Sequence, residues 1–203
     1  MRRHSNTVKG FSIAELLVAM TIMLLALGLV MTLFSRSLAT RSRESSRTDA
    51  LTAAQAALNV MSREIADSGY GLSGNGILYS DSNLTKLHIL SNVVNTNGVL
   101  TDSGENITFF FDPTTQSILR YDANDGGTSV LINRVSNVNF QYFDYTGASA
   151  TGTQVNPPTV NTARVRIILT VSLDRVLGQA NPQSVVLTSD VTLRNSPYML
   201  QQY

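Results

Sequence analysis

One carboxylate, Glu15, stands at the start of a long apolar stretch. From Leu16 to Ser35 the chain has 20 residues without a charged side chain. An acidic side chain is costly in such surroundings, on the order of 2.5–3.5 kcal/mol at the middle of a membrane and less near its edge. A carboxylate at low dielectric is stabilised by an opposite charge. The sequence therefore predicts that Glu15 has a function.

Residues able to carry catalysis are scarce in the rest of the chain. It has no cysteine and two histidines, His4 near the N-terminus and His88 in a strand-like run. A metal site or a nucleophile relay based on these residue types has almost nothing to be built from. We predict that His88 is an ordinary sheet residue, and we expect no enzymatic activity, no cofactor and no bound metal.

Two patterns imitate functional motifs. Gly69, Gly71 and Gly74 spell G-x-G-x-x-G, but a dinucleotide site needs a strand before this pattern and a helix after it. Here a helix is predicted before it and turns after it. The acidic run 122–125 (DAND) differs in spacing from the EF-hand calcium loop, and a polar β-turn is predicted there.

The apolar stretch itself predicts a membrane-spanning helix. At 1.5 Å per residue, Leu16–Ser35 extends for roughly 30 Å, the thickness of the hydrocarbon core of a bilayer. It is longer than the about 7–15 apolar residues of a secretory signal. A twin-arginine signal fits poorly too, because Arg2-Arg3 does not lead into an apolar segment. An uncleaved anchor with a stray acid is the simplest alternative.

The residues around the start of this stretch form a specific pattern. The string KGFSIAELLVAMTIMLLALGLV begins at Lys9 and places a basic residue, a glycine, an aromatic residue and a glutamate at fixed spacing before the apolar run. It resembles the type IV prepilin signal. In that signal the glycine ends a short basic leader, the aromatic residue begins the mature chain and the glutamate is its fifth residue.

The resemblance implies a processing site and a role for Glu15. Residues 1–10 would be a cleaved leader, cut between Gly10 and Phe11 by a prepilin peptidase/methyltransferase that N-methylates Phe11. Glu15 would set the axial register of a filament by pairing with the N-terminal ammonium of the adjacent subunit. Removing one member of such a buried pair costs roughly 3–5 kcal/mol.

The helix is predicted to continue beyond the membrane, over residues 36–68. From Arg41 to about Asp67 the chain contains no Gly or Pro, and apolar residues recur at spacings of three and four. We expect this stripe to be the face on which a β-sheet packs. Its members are Leu51, Ala54, Leu58, Met61 and Ile65.

Residues 69–203 are predicted to form an antiparallel β head, which makes the fold class α+β with a pilin-like layout. Short β-prone runs alternate with turn residues. The inserts 91–104 and 147–161 are predicted to be exposed loops, and partner specificity is expected there or on an exposed sheet edge. The predicted strands are Lys86–Leu90, Asn106–Phe111, Ser117–Asp122, Ser129–Asn133, Val138–Tyr145, Arg164–Leu173 and Ser184–Leu193.

Further stretches resemble one branch of the superfamily. The run AALNVMSREIADSGYGL and the pieces RVSNVNFQYFD, RVRIILTVSLD and DVTLRN are similar to segments of PilW-type minor pilins and of J-type pseudopilins of type II secretion.

Net charge is +1 and the charges after residue 50 are dispersed, so no nucleic-acid partner is predicted.

The resemblance implies a structural subunit of a type IV pilus, similar to a minor pilin. It would lie in the bacterial inner membrane with its N-terminus cytoplasmic and its head periplasmic, and reach the pilus or cell surface after assembly. Its partners would be other pilins or pseudopilins and the inner-membrane assembly platform. A type II secretion pseudopilin is the alternative within the superfamily, and a membrane-tethered periplasmic binding module is the alternative of another class.

Overall fold

The structure, a computed structural model, describes residues 10–95, 97–146, 151–173 and 183–202. The chain divides into two compact units, Met1–Glu44 and Ser45–Tyr203. Helix α1 (Ile13–Ala66) contributes to both units. The predicted helix through the apolar stretch and its predicted continuation over residues 36–68 are therefore confirmed as one helix, which ends at Ala66. His4 and Lys9 lie outside the described residues.

In the second unit, one face of α1 is buried. The predicted stripe is confirmed at four of its five positions, whereas Leu51 is only partly buried. Small residues complete the buried face, because a sheet can approach a helix closely only where side chains are short. The buried residues of α1 are Ala50, Ala54, Ala57, Leu58, Met61, Ile65 and Ala66.

The first four strands form an antiparallel meander in the order β1-β2-β3-β4. Their β-prone residues alternate with turns, and Asp112 shapes the turn between β2 and β3 by accepting a hydrogen bond from the Thr114 N–H at 2.9 Å. The bounds are β1 Lys86–Leu90, β2 Asn106–Asp112, β3 Ser117–Asp122 and β4 Thr128–Ile132.

The remaining strands form a second antiparallel sheet in the order β6-β5-β7-β8. In β7, residues alternate between fully and partly buried, as expected for a strand with one face on the core. The bounds are β5 Val135–Asp144, β6 Thr153–Val155, β7 Thr162–Ser172 and β8 Ser184–Thr192. A short helix α2 (Pro197–Leu200) follows.

Strand β6 corrects one prediction. The insert 147–161 was expected to be a loop throughout, but Thr153–Val155 pairs with β5. Three residues between Gly152 and the Asn156-Pro157 bond are too few to show a strand period. Residues 147–150 of the same insert lie outside the described part of the chain. The other predicted loop, 91–104, contains no strand where it is described.

The core lies where α1 meets both sheets. Its largest fully buried side chains include Met61 of α1, Phe109 of β2, and Phe140 and Tyr142 of β5. The sheets are also tied to the helix by polar contacts: the Arg120 guanidinium of β3 donates to both carboxylate oxygens of Glu64, at 3.0 and 2.9 Å. The second unit thus contains its own core and includes the last turns of α1.

Candidate functional site at the start of helix α1

The first turn of α1 is closed by a pair of side-chain hydrogen bonds. The Ser12 backbone N–H donates to Glu15 Oε2 at 2.9 Å, and the Ala14 N–H donates to Ser12 Oγ at 3.3 Å. This reciprocal arrangement is a capping box, formed by a Ser at the helix start and a Glu three residues later. The two side chains accept hydrogen bonds from backbone N–H groups at the helix start, which have no carbonyl of a preceding turn to bond to. The sequence analysis did not predict this capping box, although Ser12 and Glu15 match the S-x-x-E pattern.

The capping box gives Glu15 a structural role within its own chain. A negative charge in the first turn also interacts favourably with the helix dipole. The bond to Ser12 uses part of the carboxylate's capacity, because an ionised carboxylate offers about four acceptor positions. Glu15 can therefore hold the helix start and still accept a cation from another chain, and the two roles need different experiments to separate them.

The predicted processing residues lie directly before this cap. Gly10 precedes the helix, and a Cβ added to it would meet no atom within 4 Å. The Phe11 side chain is 90% exposed. The described part of the chain therefore does not require a glycine at position 10.

Beyond the cap, the first unit of the chain presents an apolar surface. Every described residue from Gly10 to Leu38 is exposed. Two hydroxyls on this surface are satisfied within the helix, since Thr21 and Thr32 each donate at 2.8 Å to the carbonyl three residues earlier. Its large apolar side chains include Leu16, Leu17, Val18, Met20, Ile22, Met23, Leu24, Leu25, Leu27, Leu29, Val30, Met31, Leu33 and Phe34.

By length and composition α1 is able to cross a membrane. A core helix of a soluble protein or a signal sequence meets the same criteria, but a core helix would be buried, and none of the apolar window of α1 is buried. An exposed apolar surface of this extent marks contact with a membrane or with other apolar surfaces.

Loss of the Ser12 cap is expected to lower the stability of the first turn of α1 by a modest amount. Replacing Ser12 by Ala removes the hydroxyl that accepts from Ala14, while Ser12's backbone donor to Glu15 remains. We expect the first turn of α1 to lose about 0.5–2 kcal/mol of stability. Faster hydrogen exchange of the amides at 13–16, with unchanged exchange beyond residue 20, would confirm this. Equal exchange throughout would show that the cap contributes nothing.

The head brings few reactive groups together. His88 lies in β1, as predicted, with Nδ1 2.7 Å from Asp81 Oδ2 and Nε2 2.7 Å from Asn106 Oδ1. The Lys86 ammonium and then the His88 ring, both bonded to Asp81, hold the pKa of its carboxyl below the usual range. This is a polar bridge between the 3-10 turn Tyr79–Asp81 and the first sheet. Among the described residues, no group of three or more His, Asp or Glu is placed to hold a metal ion.

The acidic run at 122–125 forms a turn, as predicted. The buried Asp122 accepts hydrogen bonds from the backbone N–H groups of Gly104 at 2.6 Å and Asn124 at 3.1 Å. Asp125 accepts one from the Gly127 N–H at 2.5 Å. Both carboxylates therefore hold loop backbone in place.

Comparison of the chain with protein-family models, with curated proteins and with solved structures finds no match.

Proposed function

We propose that this chain is a filament subunit of the type IV pilin superfamily, similar to PilW-type minor pilins. It is held in a membrane by α1 until it is assembled through the same helix. The observation that carries the proposal is the combination at one helix end: an apolar surface exposed throughout, a single carboxylate in its first turn, and Gly10-Phe11 directly before it.

The exposed apolar surface of the first unit supports a mechanism in which contacts with lipid are replaced by contacts with the helices of neighbouring subunits. Apolar side chains from Leu16 to Phe34 require an apolar environment. Lipid tails supply one before assembly, and helices of neighbouring subunits supply one afterwards. Helices in such a setting associate through close packing and polar contacts. The helix that anchors the subunit is then also the one that joins it to its neighbours.

The cap supports a specific role for Glu15 in this exchange. Cleavage after Gly10 creates an amino group on Phe11, and the capping bond within residues 12–15 survives it. The Ser12 N–H holds one carboxylate oxygen at 2.9 Å, which limits the rotamers of Glu15. A preorganised carboxylate loses less entropy when it binds the ammonium of the next subunit. Glu15 therefore fixes the axial register of the subunit in the filament.

The mass of the mature protein tests the proposal. A protein isolated from the membranes of cells that make it should begin at Phe11 and carry one methyl group on its amino terminus. An intact Met1 would instead indicate a permanent tether, and an N-terminus beyond residue 35 would indicate a secreted protein. Either of these two results would overturn the proposal.

A substitution at Gly10 tests the processing step itself. Because a Cβ at this position meets no atom of the described residues within 4 Å, Gly10→Leu should leave the described fold intact and block the peptidase, which needs close backbone approach at the junction. We expect the uncleaved precursor to accumulate in the membrane. Gly28→Leu is the matched control, since Gly28 also has no neighbour within 4 Å. Normal processing of Gly10→Leu would contradict the proposal.

A further inference from the structure

Two asparagines of the second unit are followed directly by glycine, in the pairs Asn75-Gly76 and Asn97-Gly98. Asparagine is one of the thermolabile residue types of proteins. The backbone nitrogen of the next residue can attack the carbonyl carbon of the asparagine side chain. A glycine hinders this attack least, because it has no Cβ and a permissive backbone. Since both pairs have the same two residues, the fold around each pair decides how fast it reacts.

One of the two pairs lies on the loop 91–104. Asn97 and Gly98 are both exposed, and the Val99 N–H donates to Asn97 Oδ1 at 2.8 Å. The ring closed by this hydrogen bond contains both atoms that would react, Asn97 Cγ and the Gly98 nitrogen. Holding two reacting groups in one geometry lowers the entropic cost of their reaction. The folded loop therefore favours attack of the Gly98 nitrogen on the Asn97 side chain.

The Val99 N–H is also placed to stabilise the charge that develops during this attack. The negative charge forms on Asn97 Oδ1, the atom that already accepts this hydrogen bond. A donor directed at a developing oxyanion lowers the barrier of such a step. Neither the Gly98 N–H nor Asn97 Nδ2 has a hydrogen-bond partner among the described residues. The attacking nitrogen and the leaving nitrogen are therefore both free to react.

The other pair lies in the interior. Asn75 is fully buried, and its Oδ1 accepts from the Ile77 N–H at 3.2 Å, the same contact that the exposed pair makes. Its Nδ2, however, donates to the Thr159 and Thr162 carbonyls at 2.9 Å each. Loss of this nitrogen as ammonia would leave both carbonyls without these bonds, and buried acceptors without partners are costly. The fold therefore protects Asn75.

We propose that Asn97 is a site of spontaneous deamidation in the folded protein. The Gly98 nitrogen forms a bond to Asn97 Cγ and loses its proton to water. The bond from Cγ to Nδ2 breaks, and the nitrogen leaves as ammonia with a proton from water, so a succinimide remains. Water then adds to either carbonyl carbon of this ring and opens it. The products are aspartate and isoaspartate at position 97, and no oxidation or reduction takes place.

The reaction changes both the charge and the backbone of the loop. Each product carries a carboxylate in place of a neutral amide, and isoaspartate adds a methylene group to the main chain. The Asn97 N–H donates to Asn95 Oδ1 at 3.2 Å, and the Asn95 amide donates to Asp102, so the new charge arises beside this set of bonds. The inference goes beyond the proposed function, because it needs only the folded loop and water. New and aged molecules then differ on the loop 91–104, where partner specificity is expected.

Peptide mapping of the full chain, incubated in detergent at neutral pH, tests the proposal. Mass spectrometry follows the conversion of amide to carboxylate in the two Asn-Gly peptides over time. We expect deamidation at Asn97 to be at least about tenfold faster than at Asn75. In urea, where the fold is lost, the two rates should become similar. Equal rates in the folded protein, an unmodified Asn97, or a difference that persists in urea would overturn the proposal.

A pair of substitutions tests the contribution of the Val99 N–H. Val99→Pro removes this donor, and we expect it to slow deamidation at Asn97 about tenfold or more. Val99→Ala keeps the donor and should leave the rate close to that of the parent chain. Asn75 serves as an internal control, because it stays unmodified only while the fold that buries it is intact. Equal rates at Asn97 in both variants, with Asn75 unmodified in both, would contradict this role of the N–H.

Discussion

Replacing Glu15 by Gln is expected to reduce incorporation of the subunit into filaments by at least about a hundredfold, while leaving the start of α1 capped. Gln serves in a capping box as Glu does, so the bond from the Ser12 N–H, at 2.9 Å in the parent chain, should persist. In the proposed filament the charge is then lost, and the ammonium of the neighbouring Phe11 is left unpaired among apolar helices. Such an unpaired charge costs roughly 3–5 kcal/mol.

Two further variants separate the charge from the cap. Glu15→Val removes both and should fail as completely as Glu15→Gln. Ser12→Ala weakens the cap and keeps the charge, so we expect it to assemble at close to the parental level. Quantitative mass spectrometry of sheared filaments against the membrane pool gives the incorporated fraction for each variant.

The pattern across these variants decides between the two roles of Glu15. If Glu15→Gln assembles normally and Glu15→Val does not, the carboxylate acts only through the cap, and the register hypothesis is wrong. If every variant is present at parental levels in the membrane but only Ser12→Ala reaches the filament, charge pairing is responsible. Membrane insertion should be equal in all of them, since Leu16–Ser35 is unchanged.

The helix and most strands were predictable because their signals are long. Residues 13–66 combine an apolar run with a stripe at helical spacing, and β1 and β3 were predicted with the bounds that the structure shows. Tertiary packing altered the details. Leu51 was assigned to the buried face, but it lines a surface groove together with Leu187 of β8. Ala57 is buried, because its small size permits close contact.

Features that depend on pairing between distant segments were not predictable. The strand order β6-β5-β7-β8 arises from partners far apart in sequence. The capping box is the opposite case, since its four residues are adjacent and S-x-x-E is a recognised signal. The capping box was not predicted, because the apolar run after Glu15 indicated ion pairing as the role of this carboxylate.

The second large expected effect is on the free energy of unfolding, and it arises from a glycine after α1. Gly76 has a φ of +74°, and a Cβ there would lie 2.1 Å from the Gly69 nitrogen and 2.3 Å from the Leu90 carbonyl oxygen. Those atoms belong to backbone that joins the end of the helix to β1, so they cannot move aside. Strain at a left-handed position and forced overpacking each cost about 1–3 kcal/mol. We expect Gly76→Ala to lower the free energy of unfolding by about 4 kcal/mol.

Substitutions at two other glycines separate the cost of backbone strain from the cost of overpacking. Gly98 has a φ of +79° but no neighbour within 4 Å among the described residues, so Gly98→Ala should cost about 1–2 kcal/mol from backbone strain alone. Gly74 has neither a positive φ nor a neighbour within 4 Å, and Gly74→Ala should change stability by less than about 0.5 kcal/mol. Urea unfolding of the three variants in one detergent measures all of these values. A neutral Gly76→Ala would refute the close approach of the three backbone segments. A neutral Gly74→Ala would show that the last glycine of the G-x-G-x-x-G pattern is dispensable for folding.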